Sequence, residues 1–124
     1  MAVRVLRAGR KRFPEALLLP NMEAMALATS PSPEVRDGAE AVDLARRMVA
    51  ITSSQDPAAL LAFAAATAEV GDSGAARRLL DSAQALAAAG RKPELIPTIG
   101  EFRRRLERDG VVRLSGEDWR RLIT

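Results

Sequence analysis

The stretch "AEVGDSGAARRLLDSA", residues 68–83, decides the fold that we predict for this chain. Gly71 ends one helical segment, because glycine adopts the left-handed conformation of a helix C-terminus without strain. Asp72 or Ser73 then caps the next helix, which we expect to run to Gly90. A turn this short places the two helices side by side in antiparallel orientation.

The helix before this turn has an equally clear start. Asp56 is a natural N-cap, and Pro57 suits the first helical position. The sequence from residue 57 to 70 is rich in alanine, which is the best helix former and lets two backbones approach closely. We expect small residues to set the helix spacing and large apolar residues to supply the buried area. The small residues are Ala64, Ala76 and Ala83, and the large ones are Leu60, Phe63, Leu79, Leu80 and Leu86.

Two further helices are predicted upstream of this hairpin. A short one covers residues 21–29, with Asn21 as its N-cap. After a proline-containing loop, a second helix runs through "DGAEAVDLARRMVAIT", residues 37–52. The apolar face of the second helix repeats at a spacing of three to four residues. Its members are Ala41, Leu44, Ala45 and Met48.

Two more helices are predicted downstream. The first covers about residues 93–108, with Pro97 tolerated in its first turn, where N–H groups have no helical partner. Its apolar stripe consists of Leu95, Ile99, Phe102 and Leu106. Ser115 and Asp118 have the spacing of a capping box, so a short terminal helix should follow and carry Trp119, Leu122 and Ile123.

Length and composition limit the chemistry that the chain can perform. The 124 residues favour one domain, and they include neither cysteine nor histidine. A Ser-His-Asp triad and a Cys/His zinc site are therefore excluded.

Residues 109–124 form a tail after the helical domain. Residues 1–20 form a basic arm that we expect to be irregular. No apolar run is long enough to span a membrane, and Glu15, Pro20 and Glu23 interrupt any signal peptide, so we expect a cytoplasmic protein.

The spacing of residues 57–90 resembles the tetratricopeptide repeat, a helix–turn–helix unit of 34 residues. The matching positions are Leu60, Phe63, Ala64, Gly71, Ala76, Leu80 and Ala83. Thr67 departs from the usual tyrosine of the repeat. Residues 21–56 are similar to a bacterial variant of the repeat with a longer loop, and residues 93–108 resemble its closing helix. The resemblance implies an all-α, short α-solenoid of antiparallel repeats with a capping helix over residues 21–108.

The resemblance also implies a function. Members of this family bind a peptide or a partner helix in a groove lined by the first helix of each repeat. Carried over to this chain, the groove residues are Ala58, Leu61, Ala65, Ala68 and Glu69. Met22 and Glu23 are the nearest equivalents in the first unit. The mostly small and apolar lining favours an apolar helix, and a second copy of the chain is an alternative partner.

Charged clusters provide the competing interpretation. The arginine-rich termini could bind RNA or another polyanion, since arginine contacts phosphate in a bidentate manner. The alternative basic patch consists of Arg104, Arg108, Arg113, Arg120 and Arg121. Glu101 has Arg104 and Arg105 at helical spacing, and Glu107 has Arg103, so we expect solvated ion pairs rather than acid–base catalysts. Nucleic acid is therefore not the partner that we favour.

The sequence thus predicts a non-enzymatic protein-interaction module, a scaffold or adaptor without cofactor or metal. Two repeats are few for an independent solenoid, because three are usually needed for stability. We therefore expect either that the terminal segments cap the stack, that a second copy does, or that the chain is a piece of a larger repeat protein.

Overall fold

A computed structural model describes the backbone from residue 18 to residue 123 and the side chains of residues 21–118, 120 and 121. The predictions for the basic arm up to residue 17 and for the side chains of Trp119, Leu122 and Ile123 lie outside the described residues. All regular structure in the described part is helical, which confirms the all-α class. The elements are α1 (Leu18–Thr29), α2 (Gly38–Ile51), α3 (Pro57–Glu69), α4 (Ser73–Ala88), a 3₁₀ turn (Pro93–Leu95), α5 (Ile96–Asp109) and α6 (Gly116–Ile123).

Aspartate side chains begin the three central helices. The carboxylates of Asp37, Asp56 and Asp72 accept backbone N–H bonds in the first turns of α2, α3 and α4, at 3.0–3.1 Å. Each bond satisfies a donor that has no partner within the helix. The predicted caps of α3 and α4 are confirmed, and Gly71 has a φ of +98° in the turn between them.

The start of α1 differs from the prediction. Asn21 is not an N-cap, because the helix already begins at Leu18 and Asn21 lies within it. Pro20 falls in the first turn of α1, where a missing N–H costs no helical hydrogen bond. The downstream helix also begins differently, since Pro93–Leu95 forms a 3₁₀ turn ahead of α5.

Helix α3 lies at the centre of the molecule and packs against α1, α2 and α4. Its alanines from Ala59 to Ala68 are at most 2% exposed. A helix that is apolar on every side is typical of a position surrounded by other elements. Helix α5 packs mainly on α4, with Ile99, Phe102 and Leu106 fully buried. Phe63, Leu79 and Leu86, which we expected in the core, are only partly buried at its edge.

Gly38 allows α2 to begin close to the end of α3. A Cβ atom at this position would lie 2.9 Å from Cγ of Glu69 and 3.0 Å from Cγ1 of Val70. We expect Gly38→Ala to lower the free energy of unfolding by about 1–3 kcal/mol, because ion pairs hold the Glu69 side chain that would have to move. Urea denaturation measures the change.

Gly116→Ala is the matched control, since a Cβ atom there would meet nothing within 4 Å. It should change the free energy of unfolding by less than about 0.5 kcal/mol. Equal effects of the two substitutions would show that the close approach at Gly38 does not constrain the fold.

Candidate interaction cleft

The predicted groove is not open in the structure. Leu61, Ala65 and Ala68 are 3%, 0% and 1% exposed, while Ala58 and Glu69 are partly exposed. These residues are buried because the alanine-rich surface of α3 lets other elements pack against it on all sides. A partner cannot reach Leu61, Ala65 or Ala68 without displacing part of this chain. In the first unit, Met22 is exposed and Glu23 is fully buried.

The C-terminal segment, residues 110–118, returns to the ends of α1 and α3. Helix α5 stops at Gly110, whose φ of +75° reverses the chain direction. The backbone N–H of Leu114 donates to the carbonyl oxygen of Thr29, the last residue of α1, at 2.8 Å. The side chains of Val112 and Leu114 are 2% and 1% exposed and belong to the hydrophobic core. This segment lies in the space between the last residue of α1, Thr29, and the last residue of α3, Glu69. We call this space the helix-end cleft.

Glu69 supplies negative charge to the helix-end cleft. Its carboxylate pairs with the guanidinium of Arg113 and, at 3.5 Å, with that of Arg36. Arg36 also donates to the carbonyl oxygens of Ser30 and Pro31 at 2.9 and 3.1 Å, which fixes the loop between α1 and α2. Glu69 was predicted as a groove residue, but both of its partners are distant in sequence and were not predicted.

Arg105 connects α5 to the C-terminal segment. Its guanidinium donates to the carboxylate of Glu101 at 2.7 Å, to the carbonyl oxygen of Arg113 at 2.6 Å and to the carboxylate of Asp118 at 3.1 and 3.2 Å. The side chain is only 15% exposed. Such charge-assisted bonds are stronger than neutral ones, so Arg105 is the main polar attachment of the segment.

The predicted capping box at the start of α6 is confirmed. The N–H of Ser115 donates to the Asp118 carboxylate at 2.9 Å, and the N–H of Asp118 donates to the Ser115 hydroxyl at 3.1 Å. These bonds, with that from Arg105, hold the pKa of Asp118 below its ordinary value. Hydrogen bonds from Arg104 and Arg105 lower the pKa of Glu101 in the same way, and the bond to Glu101 raises the pKa of Arg105.

Acid should weaken this attachment. Because the pKa values of Glu101 and Asp118 are depressed in the folded state, their stabilisation is complete above the ordinary carboxyl range near pH 4. It is lost as the pH falls through the lower folded-state values. We expect the difference in unfolding free energy between the wild type and Asp118→Asn to shrink as the pH falls from 6 to 2 in urea titrations. A difference that stays constant over this range would contradict the assignment.

The alternative basic patch is largely neutralised by neighbouring carboxylates. Arg104, Arg108 and Arg121 are well exposed, and they pair with Glu101, Asp109 and Asp118 at 2.8–2.9 Å. Arg113 turns inward to Glu69, and Arg120 is exposed.

The expected surface ion pairs are confirmed in part. Glu101 pairs with both Arg104 and Arg105, as predicted. The predicted pair of Glu107 with Arg103 is wrong, because Arg103 reaches across to Asp81 on α4 at 2.9 Å.

A shallow depression lies at the opposite end of the helices from the helix-end cleft. It is lined by Thr52, Gln55, Asp56, Pro57, Arg91 and Lys92. Lys92 Nζ contacts the Asp56 carboxylate at 2.9 Å, which compensates one of the two positive charges in the depression. In the described part of the chain, no group of three or more Cys, His, Asp or Glu residues is arranged to hold a metal ion. No helix between residues 18 and 123 combines the length and hydrophobicity needed to cross a bilayer.

The chain matches no protein-family model, and no curated protein or solved structure matches it either. The resemblance to the tetratricopeptide repeat therefore depends on residue spacing, and the site must be interpreted from its own contacts.

Proposed function

We propose that this chain is a non-enzymatic protein-interaction module of the tetratricopeptide-repeat type. The order of helix contacts supports the repeat organisation. The pair α1/α2 stacks on α3, and the pair α3/α4 is followed by α5, which packs on α4. Contacts between successive helical units are what a repeat stack requires. In this proposal α5 is the capping helix of the stack.

The contacts within the helix-end cleft are the main support for a binding function. It holds a non-helical stretch of chain by three kinds of contact: a main-chain hydrogen bond to Thr29, an ion pair with Glu69 and the burial of two apolar side chains. Peptide recognition generally combines main-chain hydrogen bonds, which give affinity, with side-chain contacts, which give specificity. The cleft therefore has the features of a site for a short segment of another protein.

Within the described part of the chain, the arginines of the alternative basic patch give the polyanion alternative no support. Paired arginines contribute little positive field compared with a run of unpaired ones. Nucleic acid is therefore retained only as an outcome of the test below.

A photo-crosslinking residue placed at Val70 tests the proposal. Val70 is exposed, follows Glu69 directly and is an apolar residue at the end of a helix. In cells of the source organism, we expect crosslinking to one partner protein, with the attached peptide identified by mass spectrometry. A synthetic copy of that peptide should bind the purified full chain, and nuclease treatment should not reduce the crosslink.

Ile51 provides the matched control position, because it is an exposed apolar residue at the other end of the stack. It should not yield the same crosslinked peptide. Equal capture from both positions, capture that nuclease abolishes, or no capture from Val70 would contradict binding at the helix-end cleft.

A further inference from the structure

We infer that residues 110–118 are a displaceable internal ligand of the helix-end cleft, and that the partner carries a segment of the same chemistry. That segment has an arginine between two aliphatic residues, with the arginine paired to Glu69. This inference rests on the proposed function and specifies its partner. The C-terminal segment then acts as an autoinhibitory element that competes with the partner.

The sequence of the segment and the chemistry of the cleft are complementary. Val112 and Leu114 are buried, while Arg113 between them pairs with Glu69. The Leu114 N–H donates to a carbonyl oxygen at the end of α1 that α1 itself leaves without a helical donor. A peptide from another protein could reproduce all three contacts with an aliphatic-Arg-Leu sequence. An acidic or purely apolar segment would leave Glu69 without its second cation.

The segment can leave without dismantling the helical stack. It is joined to α5 by Gly110, whose φ of +75° ends that helix, and it continues into α6 from Gly116. The polar attachments of the segment are the bonds to Thr29, Glu69 and Arg105. No helix from α1 to α5 depends on the segment for its own backbone hydrogen bonds, apart from the end of α1.

The cleft retains its charge compensation when the segment leaves. Glu69 keeps its contact with Arg36, and Arg36 remains bonded to the loop between α1 and α2. A partly buried carboxylate that lost all its cations would destabilise the open cleft. The second arginine therefore allows the open cleft to exist until a partner binds.

A labelled peptide with the sequence of residues 110–118, "GVVRLSGED", tests the inference on the full chain. An internal ligand competes at a high effective concentration, so the wild type should bind the peptide weakly. Leu114→Asp weakens the docking of the internal segment and leaves Thr29 and Glu69 intact. We expect fluorescence anisotropy to show at least tenfold tighter binding to this variant than to the wild type.

Two controls define the contacts involved. A peptide with Arg113→Ala should bind the Leu114→Asp chain at least fivefold more weakly than the unmodified peptide does. The two peptides should bind equally to a chain that carries both Leu114→Asp and Glu69→Gln. Circular dichroism verifies that the variants keep their helices. If Leu114→Asp fails to fold, Arg113→Ala in the full chain provides the second test, since it removes only the partly exposed ion pair with Glu69. We expect this variant to bind the peptide threefold more tightly than the wild type.

The inference is overturned if folded variants and wild type bind the peptide equally, or if neither binds it. A Val70 crosslink to a partner peptide without an aliphatic-Arg-aliphatic sequence would overturn the inference while leaving the proposed function intact. Failure of the crosslink together with failure of peptide binding would remove both.

Discussion

Replacing Phe102 by alanine should lower the free energy of unfolding by about 3–5 kcal/mol. Among the described residues Phe102 is the largest fully buried side chain, with 0% exposure, and it lies on the face of α5 that packs against α4. Truncation removes the apolar contacts of the ring and leaves a cavity, and both effects add to the loss. Because native domains have only about 5–15 kcal/mol of stability, this loss leaves a substantial unfolded population. Urea denaturation followed by circular dichroism measures the change.

Ile96→Ala is the control for this prediction. Ile96 lies on the same helix but is 40% exposed. Its truncation should cost less than about 1 kcal/mol, since surface substitutions usually have small effects. A Phe102→Ala loss no larger than that of Ile96→Ala would mean that α5 does not pack on the stack as described.

Replacing Arg105 by alanine should destabilise the protein by about 3 kcal/mol. The substitution removes the common partner of Glu101, Asp118 and the Arg113 carbonyl oxygen, in a place where the side chain is largely buried. Glu101 and Asp118 then keep their ion pairs with the exposed Arg104 and Arg121, but several charge-assisted hydrogen bonds of the buried guanidinium are lost together. The C-terminal segment should also lose protection against amide hydrogen exchange.

Arg104→Ala is the matched control, because Arg104 also pairs with Glu101 but is 69% exposed. Exposed ion pairs contribute about 0–1 kcal/mol, so this substitution should have little effect on unfolding. If the two arginine substitutions had equal effects, Arg105 would be a surface residue without a role in attaching the segment.

Local signals predicted the helices well. Asp56, Asp72 and Gly71 act through hydrogen bonds and backbone conformations within a few residues of themselves, so their roles can be inferred from the sequence. The capping box of Ser115 and Asp118 belongs to the same category. The prediction of Asn21 as an N-cap was wrong because Pro20 is compatible both with a helix boundary and with the first turn of a helix.

The site could be predicted only in part. Helix α3 is apolar on every side, so no periodicity shows which of its faces is covered and which is open. Ala65 and Ala68 were therefore placed in a groove although they are buried. The pair of Arg113 with Glu69 joins residues 44 positions apart, and no local pattern indicates it. The available signal was the aliphatic run around Arg113, which is too short for a helix and too apolar for a solvated tail.

Amide hydrogen exchange at Leu114, measured by NMR on the wild-type chain, tests the central claim that the C-terminal segment occupies the helix-end cleft. The bond from the Leu114 N–H to the Thr29 carbonyl oxygen predicts exchange at least a hundredfold slower than that of an unstructured peptide. Addition of a peptide that binds the cleft should then accelerate it. Exchange of Leu114 at the rate of an unstructured chain would show that the cleft is empty and would contradict the account.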